Sequence, residues 1–126
     1  MAHSPELLFV YGTLRRGASR GGQPNPYAIR LENKAIWLGA AKAPGRLYQV
    51  NPDYPGMAPP LQPGEWVPGE AWQFNSAELW QSLDDYEGEE YARVLSTITL
   101  ADGTHREAWV YLYASRITTA MARVEV

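Results

Sequence analysis

The chain has 126 residues, 45% hydrophobic and 20% charged, which is the size and make-up of one ordinary globular domain and not of a disordered segment. The absence of cysteine excludes a disulfide framework, a thiolate nucleophile and any zinc or iron–sulfur site built on thiolates. With 14 acids against 11 bases the net charge is -3, which speaks against a general nucleic-acid binder, whose footprint is a basic stripe.

The segment Met1 to Glu6 lacks a positive n-region, and the apolar run behind it, Leu7 to Tyr11, is too short for a signal core. No apolar stretch approaches the ~20 residues that span a bilayer. The expected location is cytoplasmic, with neither nucleic acid nor membrane as a partner.

The first element is Glu6 to Gly12 (ELLFVYG), a nearly continuous apolar run ended by glycine that reads as a buried strand. Two further strands are expected at Ala35 to Ala43 and Arg46 to Val50, with Pro44-Gly45 as the turn between them. Six prolines between Asn51 and Pro68 predict a stretch that is mostly loop. Val67 to Phe74 alternates and reads as a strand. Ala92 to Leu100 and Glu107 to Ala114 flank Ala101-Asp102-Gly103, a hairpin signal. The pattern is mostly β, with one readable helix between a cap at Asn75 or Ser76 and a stop at Gly88. Asn75 and Glu78 have capping-box spacing.

Three features carry chemistry. On the helix, Leu79, Trp80, Leu83, Tyr86 and Glu87 fall on one stripe, within about 60° of Leu83 at 100° per residue. A carboxylate on an apolar stripe is costly to bury alone. It is either poised at a cavity as a general acid/base, or it swings into water from a frayed turn or pairs with Arg93. Periodicity leaves these open. The second feature is Tyr11-Gly12-Thr13-Leu14-Arg15-Arg16-Gly17, just after the first strand. Glycine there lets backbone N–H groups approach an anion, and the arginines offer a cationic partner. Phosphate-loop and dinucleotide spacings are absent, so a plain turn with solvated arginines stays open. Third, Trp109, Tyr111 and Tyr113 share one face of the last strand while Ala108, Val110 and Leu112 share the other. Both faces read as buried, which suits a strand inside a closed or covered sheet. His105 reads as a solvated loop residue.

Two motifs together, LFVYGTLRRG at Leu8 to Gly17 and LDDYEG at Leu83 to Gly88, resemble the gamma-glutamylcyclotransferase-like family. Smaller pieces follow in matching order, among them Asn25-Pro26-Tyr27, Gly45-Arg46-Leu47-Tyr48, Tyr91-Ala92-Arg93 and Ala108-Trp109-Val110-Tyr111. The resemblance implies a single domain over residues 1–126, with its core at 7–114 and a tail at 115–126. It implies a small, strongly bent mixed β-barrel with a cavity and one or two short helices, in the mostly β (α+β) class. It also implies an enzyme that needs no cofactor or metal and acts on a small gamma-glutamyl compound. Glu87 is then the general acid/base, and 5-oxoproline leaves with a free amine or amino acid. The loop Tyr11, Gly12, Thr13, Leu14 is then the binder of the gamma-glutamyl group. Beside it, Arg15, Tyr91 and Tyr111 are expected to shape the pocket, with the Tyr111 hydroxyl orienting Glu87. A non-catalytic small-molecule-binding protein and another amide-processing enzyme on the same scaffold are the alternatives.

Overall fold

A computed structural model describes residues 6–11, 19–20, 23–51, 54–118 and 121–124. Its strands are β1 (Glu6–Val10), β2 (Ser19–Arg20), β3 (Gln23–Pro24), β4 (Ile36–Pro44), β5 (Arg46–Asn51), β6 (Tyr54–Ala58), β7 (Trp66–Phe74), β8 (Tyr91–Leu100) and β9 (His105–Tyr113). There are two helices, α1 (Pro26–Lys34) and α2 (Ala77–Glu87), and a 3-10 turn at Gly88–Glu90 leads from α2 into β8. Among the described residues no helix is long and apolar enough to cross a membrane.

Five strands close a mixed barrel in the order β1-β7-β4-β8-β9. All neighbours are antiparallel except at the closure, where β1 runs parallel to β9 and pairs Leu8 with Trp109 and Phe9 with Val110. Period-two alternation sorts β1 between two cores. Leu7 and Phe9 join Ala41, Ala43, Val67, Ala71, Ile98, Ala108 and Val110 in one. Leu8 and Val10 join Leu31, Trp72, Phe74, Leu79, Trp80, Leu83 and Tyr111 in the other, under the helices. Fully burying a large apolar side chain stabilises by about 1.5–3 kcal/mol, so a strand buried on both faces is a natural keystone. The alternation of large residues with four alanines in the first cluster lets the barrel interior fill without voids.

The expected strands are present, with differences that have physical causes. Pro44-Gly45 does not form a hairpin turn. The chain turns a corner there, because β4 pairs with β7 and β8 while β5 pairs with β6 in a separate two-stranded sheet. The proline-rich stretch is not all loop, since β6 occupies Tyr54–Ala58, and proline is tolerated in a strand that leaves an edge unpaired. In β4 the register slips between Trp37 and Gly39, and Gly39 takes φ 97°, a bulge conformation that favours glycine. His105 begins β9 and is no loop residue, although it is exposed as expected and its ring Nδ1 lies 3.1 Å from Thr99 Oγ1. The helix α1 is an addition to the sequence reading. It starts as helices should, with the Asn25 side chain accepting from the Tyr27 amide at 3.0 Å and Pro26 following the cap. Only Ala28 and Leu31 of its nine residues are buried, so its apolar stripe is too thin to read as a periodic signal.

The tail returns to the β5 edge. Gln49 N donates to Ala122 O at 2.8 Å, and Val124 N donates to Leu47 O at 2.8 Å. Underneath lies Glu65, 8% exposed, which accepts from the amides of Leu61 (2.7 Å) and Gln62 (3.1 Å) and pairs with Arg46 and with Arg123 (3.2 Å). Burial works against the charge of Glu65, but the two amides and Arg46 outweigh it and hold its carboxyl below the usual range. A carboxylate whose folded pKa lies below its unfolded value, ~4.3, stabilises the fold fully above that pH and loses the contribution as pH falls through the folded value. Glu65→Gln is therefore expected to lower the urea midpoint at pH 7, with the gap to the parent chain narrowing as pH falls below about 4. A gap unchanged at pH 3 contradicts this account.

Candidate active site

The site is built where α2 ends against β8 and β9. Ser76 caps α2, its Oγ accepting from the Leu79 amide at 3.1 Å, so the cap falls on the second of the two expected residues. Gly88 ends the helix with φ 70° and donates its amide to Asp84 O, a stop that a side chain would strain. Leu79, Trp80 and Leu83 are buried, and Tyr86 and Glu87 are half-buried in the last turns. The stripe thus carries Glu87 to the edge of the apolar core.

Tyrosines from three strands meet at this end of the molecule. Tyr11, the residue after β1, donates its hydroxyl to Tyr111 O at 2.6 Å and accepts from the Met57 amide at 3.1 Å. Tyr91 donates to Pro55 O at 3.0 Å and meets Tyr113 edge-on, with ring centroids 5.8 Å apart. These bonds fasten β6 across the barrel end. Burial drives the Tyr11 hydroxyl well above its ordinary pKa. The nearby Tyr91 and Glu87 push it the same way, while the Met57 amide opposes them. Tyr111 is 4% exposed. Its pKa is also raised far above the usual value by burial, by its hydrogen bond to Asp84 and by the charges of Asp84 and Glu87, with Arg93 opposing. Glu87 is therefore close enough for its charge to be felt at both hydroxyls.

Tyr111 departs from expectation in its partner. Its hydroxyl donates to Asp84 Oδ1 at 2.7 Å, not to Glu87, because Asp84 stands one turn back on the same helix and reaches β9 first. Arg93, a candidate partner of Glu87, likewise goes to Asp84, through Nε to Oδ1 at 3.0 Å and Nη2 to Oδ2 at 3.2 Å. Its guanidinium lies between two indoles, 4.4 Å from the Trp80 ring centroid and 4.8 Å from that of Trp109. An open cleft of about 410 Å³ beside this group is lined by Asp84, Gly88, Tyr91, Arg93, Trp109 and Tyr111. Gly12, Thr13, Leu14 and Arg15 lie outside the described residues. Among the described residues no three of His, Asp and Glu gather as a metal-ligand set.

The sequence profile of the family described as gamma-glutamyl cyclotransferase, AIG2-like, matches residues 8–125. The chain belongs to this family. Among solved structures, a protein specific to uropathogenic E. coli is 27% identical, with a TM-score of 0.70 over 97% of this chain and 89% of that one. An AIG2-like protein from Mus musculus is 24% identical, with a TM-score of 0.71 over 91% and 81%. YkqA from Bacillus subtilis, at 19% identity and a TM-score of 0.68, aligns with 95% of this chain, which spans only 38% of YkqA. A comparison with curated proteins found no match.

Within this family framework, the reading from residues found the strand after which the loop begins, the helix and the tyrosine face of β9. The pairing of Asp84 with Arg93 and the packing of the Trp80 and Trp109 indoles around that guanidinium carry no periodic signal. Asp84 falls at the margin of the apolar stripe, 60° from Glu87 at 100° per residue, and only the i, i+3 spacing hints that the two share a face. The dual hydrogen bond of Tyr11 has a direct consequence. Tyr11→Phe leaves the Met57 amide and the Tyr111 carbonyl without their partner, and unmet buried groups cost about 1–3 kcal/mol. Urea unfolding of this variant is expected to show a loss of that size, and a loss below about 0.5 kcal/mol contradicts the assignment.

Proposed function

We propose that this chain is a gamma-glutamyl cyclotransferase in which Glu87 is the general acid/base. The observation that carries the reading is the position of Glu87, half-buried at the end of α2, in the turn that Asp84 holds against Tyr111. Membership of the gamma-glutamyl cyclotransferase, AIG2-like family supplies the reaction class.

In the proposed reaction the α-amine of the substrate attacks its own γ-carbonyl carbon. A new C–N bond closes the five-membered ring, the γ-amide C–N bond breaks, and 5-oxoproline leaves with a free amine or amino acid. Glu87 takes one proton from the α-ammonium and delivers it to the departing nitrogen, and the second proton that the ring nitrogen loses on becoming an amide ends on the released amine as its ammonium, so the carboxylate is regenerated and no net proton is consumed. The attacker and target belong to one molecule, so catalysis rests on holding the folded-back conformer and moving the proton. The backbone N–H groups of Gly12, Thr13 and Leu14 are assigned to the substrate carboxylate or the γ-carbonyl oxygen, with Arg15 beside them. Tyr91 and Tyr111 line the cleft, and Tyr11 is assigned to the substrate beside them. Because their hydroxyl protons go to Tyr111 O, Pro55 O and Asp84 respectively, their part is shape and polarity, and proton transfer is left to Glu87.

The test is release of 5-oxoproline from a panel of gamma-glutamyl amino acids, gamma-glutamyl amines and glutathione. Turnover on at least one is expected, and Glu87→Gln is expected to lower it by about 10²–10⁴-fold with an unchanged melting temperature. A Gln variant with parental turnover refutes the role of Glu87. For the loop, Gly12→Val is expected to abolish binding of a gamma-glutamyl ligand in calorimetric titration, since a branched side chain blocks close backbone approach. Normal binding by that variant moves the ligand site elsewhere.

A further inference from the structure

We propose that the ion pair of Asp84 and Arg93, clamped between Trp80 and Trp109 and tied to Tyr111, is the positioning device of the site. In this role it pins the last turn of α2 to β8 and β9 and keeps the charge beside Glu87 balanced. The inference rests on the assignment of Glu87 as acid/base and adds the residues that hold it ready.

Geometry is the first support. Asp84 receives three donors, Nε and Nη2 of Arg93 and the Tyr111 hydroxyl, from two strands that are neighbours in the barrel. A bidentate fork fixes both distance and plane, and the stacking of Arg93 on an indole of α2 and an indole of β9 fixes its orientation. Asp84 and Glu87 are three residues apart on one helix, so their Cβ atoms are ~5–6 Å apart. Whatever holds Asp84 holds the turn that carries Glu87.

Charge is the second. Residues 84–90 contain five acids, Asp84, Asp85, Glu87, Glu89 and Glu90, and the last turn of α2 has no basic residue of its own. A helix C-terminus is already the negative end of the macrodipole. From the neighbouring elements, β1 presents Tyr11 and β9 presents Tyr111, both held protonated. From β8 come Tyr91, whose proton is given to Pro55 O, and Arg93. Asp85, Glu89 and Glu90 are exposed and screened by water. Arg93 is thus the cation that strand β8 brings to this turn, and Asp84 is its paired anion. The side chains of Asp84 and Arg93 are 39% and 27% exposed, so their fields at Glu87 are damped by solvent but not erased.

The two halves of the pair then act on Glu87 in opposite directions. Asp84→Asn leaves the guanidinium of Arg93 uncompensated, which favours the Glu87 carboxylate and lowers its pKa. Arg93→Met leaves the Asp84 carboxylate uncompensated and raises it. Shifts of about half a pH unit or more are expected, read two ways: the acidic limb of kcat/KM for 5-oxoproline release, and ¹³C NMR titration of the Glu87 carboxyl, assigned by its loss in Glu87→Gln. Arg93→Lys keeps the cation but loses the fork, so its titration should stay within about 0.2 units of the parent while kcat falls.

Opposite shifts in Asp84→Asn and Arg93→Met support the proposal. Shifts of the same sign, or none, in folded variants overturn it. If either of these fails to fold, Arg93→Lys decides, and a Lys titration displaced by half a unit overturns the proposal. The NMR titration keeps the two readings apart. An active parent with unmoved titrations sinks the positioning role and leaves the cyclotransferase standing. An inactive parent whose titrations move in opposite directions sinks the cyclotransferase and leaves the pair's control of Glu87.

Discussion

Strand β1 pairs with β7 on one edge and with β9 on the other, and its two faces are covered in turn by the barrel interior and by the core under the helices. Its residues must therefore be apolar on both sides, and Leu7, Leu8, Phe9 and Val10 are all buried. The position of the site follows. The residue after the strand, Tyr11, keeps the inward phase of Leu7 and Phe9 and packs against the same cluster. Its polar tip needs partners there, and it finds them in the Tyr111 carbonyl and the Met57 amide. The parallel register of β1 on β9 also sets Tyr111 at the same end of the barrel. One closure thus brings together the two tyrosines that feel Glu87.

The second sheet depends on the same tyrosines. β5 and β6 pair with each other and not with the barrel strands, and a two-stranded ribbon is marginal by itself. It is fastened by hydroxyl bonds, Tyr11 to Met57 N and Tyr91 to Pro55 O, and from the other side by the tail, through Gln49 and Leu47. Glu65 gathers Arg46 of β5 and Arg123 of the tail at one buried carboxylate. Leu47 and Met57 of the ribbon also enter the barrel core, so apolar burial and these polar bonds together decide where it sits.

What was legible in the residues was whatever has a period. β1 and β9 announced themselves because both faces are apolar or aromatic, and α2 because its stripe is flanked by a cap and a glycine stop. Elements whose reason lies in tertiary contact were hidden. α1 buries only Ala28 and Leu31, and β6 sits among prolines that read as loop. The corner at Gly45 exists because a Cβ there would fall 2.6 Å from Met57 Cε and 2.8 Å from Ala58 O, a contact with residues more than ten positions away. The partner of Tyr111 was misjudged for the same reason. Strand alternation placed its side chain on the correct face, but only the docking of α2 decides which carboxylate comes within reach. A single-residue periodicity argument ranks Glu87 above Asp84 and cannot see that Asp84 meets the strands first.

That ordering of the two carboxylates has a chemical logic. A general acid/base must be able to give up and regain a proton, so it cannot be the group saturated with donors. Asp84 accepts two guanidinium N–H groups and a phenol, and these donors tie its carboxylate to both strands. It is thereby suited to structure. Glu87, one turn later at the negative end of the helix dipole, is where charge is least favoured by the backbone. Placing the two on one face at i, i+3 lets the first hold the cation of β8 within one turn of the proposed acid/base. A carboxylate fixed by donors from two neighbouring strands is a simple means of making a helix end rigid.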